Sequence, residues 1–239
     1  MGKKKLRLKR LTGIAVVLAV LSGCFFLYVA DYYHADANAL AALNSDGTVT
    51  VTRTAEGWLF DGPSESDALI FYPGAKIEEA SYAPLMHLLA EKGMDAFLIE
   101  MPFHLSIFGK DKADNVISGY KYDHFYISGH SLGGAMAAEY ASGHHEQLTG
   151  IVMLAAYSLK HLDDSLAAVT IYGSEDGVLN MGRLAAGEKN LPVNAGTCVI
   201  QGGNHAQFGN YGEQKGDGKA SISAQEQQRQ TVELILQNK

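Results

Sequence analysis

A glycine-rich stretch, GHSLGG at residues 129–134, constrains the fold of this chain more than any other feature. It directly follows the apolar run 125–127 and precedes an alanine-rich segment that is typical of a helix. Gly129 and Gly133 have no Cβ, so the chain can turn tightly and the helix can pack close to the strand. The pattern G-x-S-x-G at such a junction is typical of a turn that exposes a serine as a nucleophile. The stretch therefore predicts a strand, a sharp turn carrying Ser131, and a helix.

Two further polar residues follow strand-like runs later in the chain. Asp176 comes after residues 167–172, which are rich in β-branched and aromatic side chains, and His205 comes after the short apolar run 197–200. In an open parallel sheet the loops beyond the carboxyl ends of the strands converge on one crevice. The order serine, aspartate, histidine therefore allows three distant residues to meet.

Each of these three residues has a competing interpretation. Ser131 could simply cap the helix that follows it, because serine is a preferred N-cap residue. Asp176 competes with its neighbour Glu175 and with the aspartates at 163–164, and it stands in a turn where aspartate is common. His205 competes with eight other histidines. Only His205 follows both the acid and a strand, which favours it as the base.

The chain resembles the serine members of the α/β-hydrolase superfamily, which share this turn and this residue order. It is most similar to the small, lidless group related to dienelactone hydrolases, although those carry a cysteine nucleophile where this chain has a serine. The resemblance runs from about residue 68 to the end of the chain. It includes the block YPGA at 72–75, which follows an apolar strand-like run.

The resemblance implies a specific set of site residues and an activity. The triad would be Ser131, Asp176 and His205, and the oxyanion hole would use the backbone N–H groups of Leu132 and Ala75. If the loop is offset by one residue, Lys76 replaces Ala75 as donor. A histidine must take the serine proton during attack, and an acid must orient that histidine.

The activity implied is hydrolysis of a carboxylic ester through an acyl-serine intermediate. An acyltransferase or a thioesterase would use the same triad. A thioesterase differs from an esterase in the bond attacked, and an acyltransferase differs in the acceptor that takes the acyl group from the serine. A non-catalytic binding module with this fold is the alternative from another class. The sequence has no C-x-x-C, H-E-x-x-H or Walker motif, and serine hydrolysis implies no cofactor or metal.

The segment between the strands predicted near 149–156 and 167–172 is too short to carry a helical cap. Only residues 158–166 separate them, so an open, shallow site is expected. Phe103, in a largely apolar segment after a strand, could line the substrate pocket or merely pack beneath a helix. Lys76 and His130 are further candidates for the pocket, although His130 precedes the serine on the same turn and is more typical of a packing residue than of the base.

The first thirty residues indicate where the domain is located. Six of the first ten residues are basic, and the uncharged run 11–30 is long enough to cross a bilayer. A basic flank tends to stay cytoplasmic, so the rest of the chain is expected outside the cytoplasm. Residues 21–24 (LSGC) resemble a lipobox with Cys24 as the lipidated residue, and a cleaved signal peptide is a third option. The apolar run continues past Cys24, which favours an uncleaved anchor.

Charge limits the partners that the remaining chain can have. After the first ten residues, thirteen basic side chains face twenty-six acidic ones. Such an acidic surface argues against nucleic acid as a partner and against electrostatic binding to anionic lipid. The expected partners are a small-molecule ester and, through the anchor, a membrane.

The organisation predicted is an α/β fold with a mostly parallel central sheet flanked by helices, preceded by an N-terminal membrane-anchor helix. Residues 1–30 are interpreted as signal or anchor, 31–47 as a linker, and 48–239 as the catalytic domain. Residues 48–52 alternate like an edge strand, and 58–60 are expected to pair with them. Parallel strands are predicted near 68–72, 95–100, 123–128, 149–156, 167–172 and 196–201, with helices near 78–92, 132–144, 179–188 and 223–237.

Overall fold

The chain divides into two units, Met1–Tyr32 and Tyr33–Lys239. The computed structural model describes residues 2–63 and 66–239, with the backbone alone for residues 2–10. The first unit contains helix α1, Gly2–Ala30, whose segment Leu11–Ala30 is long and apolar enough to cross a membrane, with a mean hydropathy of 2.4. The basic side chains on which the predicted orientation depends lie outside the described residues.

The second unit is built on one eight-stranded sheet with the order β1-β2-β4-β3-β5-β6-β7-β8. The pairs β1–β2 and β2–β4 are antiparallel, and every other neighbouring pair is parallel. The strands are β1 Thr50–Arg53, β2 Gly57–Asp61, β3 Asp67–Tyr72, β4 Asp95–Ile99, β5 His124–His130, β6 Gly150–Leu154, β7 Ala167–Gly173 and β8 Gly196–Ile200. The helices are α2 Ala37–Ala41, α3 Ala83–Glu91, α4 Ala113–Gly119, α5 Leu132–Ala141, α6 Met181–Gly187 and α7 Ala224–Gln237.

The central strands bury both faces because helices cover each side of the sheet. Alternate residues of β3 point to opposite faces. Leu69 and Phe71 pack in a core with α3 and α7. Ala68 and Ile70 pack in the opposite core with α4 and α5. The alternation of strands and helices thus places the carboxyl ends of the parallel strands along one edge, which is where the functional site is expected.

The fold class predicted from the sequence is confirmed, including the antiparallel hairpin of β1 and β2. Helix α4, Ala113–Gly119, lies in the segment between β4 and β5, where the sequence predicted no helix. Its first turn is anchored because the N–H of Ala113 donates to the hydroxyl of Tyr72, 3.1 Å away. This long-range partner is not visible in the local sequence.

Candidate active site

Ser131 lies on a strained turn between β5 and α5. Its backbone has φ 54° and ψ −121°, a conformation that a residue with a side chain rarely adopts. The turn is fixed because the N–H of Ser131 donates to the carbonyl of Leu154 on the neighbouring strand, 2.9 Å away. The Ser131 side chain makes no capping hydrogen bond to α5. The interpretation of this serine as a helix cap is therefore wrong.

The two glycines that flank the serine are required by close packing. A Cβ on Gly133 would lie 2.1 Å from the carbonyl oxygen of Tyr72, and one on Gly129 would lie 2.4 Å from the carbonyl carbon of Gly133. Real Cβ atoms do not approach backbone this closely, so any side chain would force the turn apart. The sequence pattern around Ser131 thus reflects the approach of α5 to strands β3 and β5.

The acid and the histidine meet below the turn as a buried pair. The Nδ1 atom of His205 lies 2.8 Å from Oδ2 of Asp176, and both side chains are 1% exposed. The other oxygen of Asp176 accepts the N–H groups of Val178 and Leu179 at 2.9 and 2.8 Å. These two bonds orient the carboxylate, so one oxygen remains for the imidazole. The competing acid Glu175 is exposed and accepts a hydrogen bond from Ser174 instead.

Ser131 and His205 line the same cavity, which has a volume of about 250 Å³. Its other walls are mostly aliphatic and come from α5 and from the loops after β6 and β7. The Nε2 atom of His205 is buried and has no hydrogen-bond partner within the described part of the chain. Nδ1 of His205 is therefore engaged by Asp176, whereas no described protein group forms a hydrogen bond with Nε2.

The loop after β3 contains the predicted oxyanion donors. The N–H of Lys76 donates to the carbonyl of His104 at 2.8 Å, and the N–H of Gly74 donates to the hydroxyl of Tyr82 at 3.2 Å. Both neighbours of Ala75 therefore already use their N–H groups within the protein. This pattern favours Ala75 over Lys76 as a donor to a bound ligand, together with Leu132 at the amino end of α5.

None of the three predicted pocket residues, Lys76, His130 and Phe103, lines the cavity at the serine. His130 is fully buried, and its ring centroid lies 4.4 Å from that of His205. Burial, with repulsion from His205 as a smaller cause, holds the pKa of His130 well below its usual value of 6.5. His130 is thus a neutral packing partner of the histidine and not a pocket wall. Phe103 is 45% exposed on the loop after β4.

Tyr82 connects these parts and was not found from the sequence. Its side chain is fully buried, and its hydroxyl lies 2.8 Å from Nδ1 of His130 while it accepts the N–H of Gly74. Burial also raises the pKa of Tyr82, so the hydroxyl stays protonated. The tyrosine therefore couples the loop after β3 to the rings behind His205. A single tyrosine in an apolar segment gives no sequence signal of such a role.

Asp217 is a second residue that sequence reasoning missed. Its carboxylate accepts the N–H groups of Gly177, His205, Ala206 and Gly218 at 2.8 to 3.2 Å. One of these donors is next to Asp176 and another belongs to His205 itself. Asp217 therefore joins the loop after β7, which carries Asp176, to the loop after β8, which carries His205. Its position in the polar segment after His205 resembles any exposed acidic residue, so only the fold reveals it.

Backbone strain is concentrated along the same edge of the sheet. Left-handed backbone at residues other than glycine occurs after four strands, with φ between 48° and 58°: Lys76 after β3, Phe103 and His104 after β4, Ser131 after β5, and Ala155 after β6. Such conformations persist only where the surroundings enforce them, and they cluster at functional sites. Among the described residues, no group of three or more His, Cys, Asp or Glu could hold a metal ion.

This arrangement of a strained serine turn and a buried acid–histidine pair on an eight-stranded α/β sheet defines a class of hydrolase. A model of the alpha/beta hydrolase family matches residues 68–229. The chain belongs to the alpha/beta hydrolase family. No curated protein sequence matches the chain.

Solved structures similar to this chain include a lipase, a dienelactone hydrolase and a phospholipase. The monoacylglycerol lipase of Paleococcus ferrophilus is 14% identical, with a TM-score of 0.57 over 80% of this chain and 100% of that one. The dienelactone hydrolase of Anabaena variabilis is 12% identical, with a TM-score of 0.55 over 81% and 98%. A membrane phospholipase A, described as a bacterial virulence factor, is 11% identical, with a TM-score of 0.57 over 97% and 99%. At these identities the similarity shows the fold alone.

Proposed function

We propose that this protein is a membrane-tethered serine hydrolase that cleaves carboxylic esters, with Ser131, Asp176 and His205 as its catalytic triad. The observation that carries the proposal is the buried contact of His205 Nδ1 with Asp176, which leaves Nε2 unpaired at the cavity that Ser131 also lines. Esterases and lipases among the similar structures support the choice of substrate class.

The geometry supports a two-step reaction. Ser131 Oγ attacks the ester carbonyl carbon while His205 Nε2 takes its proton, and Asp176 stabilises the imidazolium that forms. The N–H groups of Leu132 and Ala75 donate hydrogen bonds to the oxyanion and so stabilise its charge. The intermediate collapses to an acyl-serine as the leaving alcohol takes the proton from His205. Water then attacks the acyl group while His205 takes its proton. This second intermediate collapses to the acid as Ser131 Oγ leaves and takes that proton back from His205.

The tether is helix α1, with the body outside the cytoplasm. Its apolar segment has the length of a membrane span, and six of the first ten residues are basic. The similarity to the membrane phospholipase A covers 97% of this chain. Carbonate extraction of membranes is expected to leave the full-length chain in the pellet. A shorter chain in the supernatant contradicts the tether, and a mass shift abolished by Cys24→Ala identifies a lipoprotein instead.

Kinetics on p-nitrophenyl esters of graded chain length test the hydrolase proposal. We expect Ser131→Ala and His205→Ala to lower kcat/KM by about 10³-fold or more. Asp176→Ala is expected to cost far more than Glu175→Ala, which serves as its matched control in the same turn. Comparable losses at Asp176 and Glu175, or an active Ser131→Ala variant, contradict the proposal. A folded chain without turnover favours the binding module.

A further inference from the structure

Exposed apolar side chains lie in the segments that follow strands β4, β6 and β7. Phe103, Ile107 and Phe108 follow β4 and are 45%, 55% and 53% exposed. The rings of Phe103 and Phe108 pack edge to face, with centroids 5.8 Å apart. Leu159 after β6 and Met181 after β7 are 64% and 48% exposed. We call these five side chains the apolar rim. Neighbouring exposed apolar side chains, such as Phe103, Ile107 and Phe108, mark an interaction surface more often than scattered ones do.

The apolar rim borders the proposed active site. His104, next to Phe103, accepts the N–H of Lys76 through its carbonyl, which ties the loop after β4 to the loop that carries Ala75. On the other side, Met181 directly follows Asn180, which lines the cavity at the serine. The rim residues therefore lie in segments that leave the same carboxyl edge of the sheet at which the ester would react.

The point where the chain enters the body lies at this edge as well. The N–H of Tyr33 donates to the carbonyl of Lys76 at 2.8 Å, and the carbonyl of Tyr33 accepts the N–H of Glu78 at 2.9 Å. Two residues separate Tyr33 from Ala30, and three chain steps extend about 11 Å at most. The chain therefore enters the body beside the loop that carries Ala75.

The charge of the body makes apolar contact the available means of docking. Beyond the first ten residues, acidic side chains outnumber basic ones two to one. The net charge of the body therefore does not favour electrostatic attraction to anionic lipid. Large apolar side chains at the level of the headgroups gain free energy when they leave water, whatever the lipid charge.

We propose that the apolar rim docks on the surface of the membrane that α1 spans, and that the site takes a long-chain acyl lipid from that surface as its ester. This inference rests on the proposed hydrolase function and adds the substrate class. The cavity of about 250 Å³ is smaller than a typical drug-sized ligand pocket, so it holds the scissile group and a short part of the substrate. The rest of the acyl chain lies against the rim.

The test uses the full chain reconstituted in phosphatidylcholine vesicles, with two substrates. One is the water-soluble p-nitrophenyl butyrate, and the other is 4-methylumbelliferyl oleate dissolved in the bilayer. We expect Ile107→Glu to lower hydrolysis of the oleate about tenfold and to leave hydrolysis of the butyrate within twofold. Val193→Glu is the matched control, because Val193 is 86% exposed on the loop before β8, at the opposite edge of the sheet. It is expected to change neither rate.

The two substrates separate failure of docking from failure of the hydrolase proposal. If Ile107→Glu hydrolyses the oleate as fast as the unmodified chain, lipid docking is wrong, and a protein partner becomes the occupant to seek. An unmodified chain that cleaves the butyrate but not the oleate also overturns docking and leaves the hydrolase intact. A chain inactive on both overturns both proposals. Ile107→Ser adds no charge and repeats the selective loss if Ile107→Glu fails to fold.

Discussion

The serine turn (residues 129–134) and the histidine loop (residues 202–218) meet at one cavity, but they are held in place by different forces. The serine turn is fixed by close backbone packing, which its glycines permit. The histidine loop is fixed by hydrogen bonds that the carboxylate of Asp217 accepts from backbone N–H groups of this loop and of Gly177, next to Asp176. Close packing requires glycines at fixed positions and so produces a local sequence pattern. Hydrogen bonds between distant residues, such as those to Asp217 (the Asp217 clamp), produce almost no such pattern.

The largest effect is expected where the serine turn has no space. Gly133→Ala places a Cβ against the carbonyl of Tyr72, so we expect the free energy of unfolding to fall by about 3 kcal/mol and esterase activity to be lost. Gly143→Ala is the control, because its Cβ would lie 3.8 Å from the carbonyl of Tyr140, an ordinary contact. Urea denaturation measures the free energy of unfolding of both variants. A Gly133→Ala variant as stable as the control contradicts the steric account.

A smaller loss of stability is expected in the histidine loop. Asp217→Ala removes the acceptor of four N–H groups, which we expect to cost about 2 kcal/mol and to lower kcat about tenfold to a hundredfold with little change in KM. A merely structural aspartate would lower stability without this selective change in kcat. Asp164→Ala is the control, since the exposed Asp164 accepts one N–H, that of Val193, at the opposite edge. Equal kcat values in the two variants would refute the clamp.

The smallest effect concerns the neutral imidazole behind the histidine. The pKa of His130 is depressed in the folded chain, so the unfolded chain binds the proton more tightly. Above pH 6.5, His130 is neutral in both states and its contribution to the free energy of unfolding is fully present. As the pH falls from 6.5 toward the folded pKa, this contribution is lost by at most about 1.4 kcal/mol per pH unit. Denaturation of the unmodified chain and of His130→Gln across this range should show a shallower pH dependence in the variant. Identical slopes would contradict a buried neutral His130.

The difference between the two regions explains what the sequence could predict. The order of strands and helices follows from apolar periodicity, which burial on both sheet faces enforces. The position of Ser131 follows from the glycines around it. These features depend on neighbours within a few residues, so one sequence is enough to find them.

Other features depend on partners far apart in the chain. Helix α4 starts where Tyr72 accepts its first N–H, and Tyr82 meets His130 48 residues later. Asp217 acts on an N–H group 40 residues earlier in the chain. The predicted pocket residues lie near strand ends, with His130 at the end of β5 and Lys76 and Phe103 after β3 and β4, but the direction of each side chain depends on how neighbouring loops pack. Periodicity and motif spacing carry no information about that packing.

The central claim is that Ser131 is a nucleophile activated by His205, and fluorophosphonate labelling of the full chain with peptide mapping tests it most directly. The account predicts a single adduct on Ser131, none in Ser131→Ala, and labelling slowed by about 10²-fold or more in His205→Ala. A folded chain that forms no adduct at Ser131, or that labels equally fast without His205, would contradict the account.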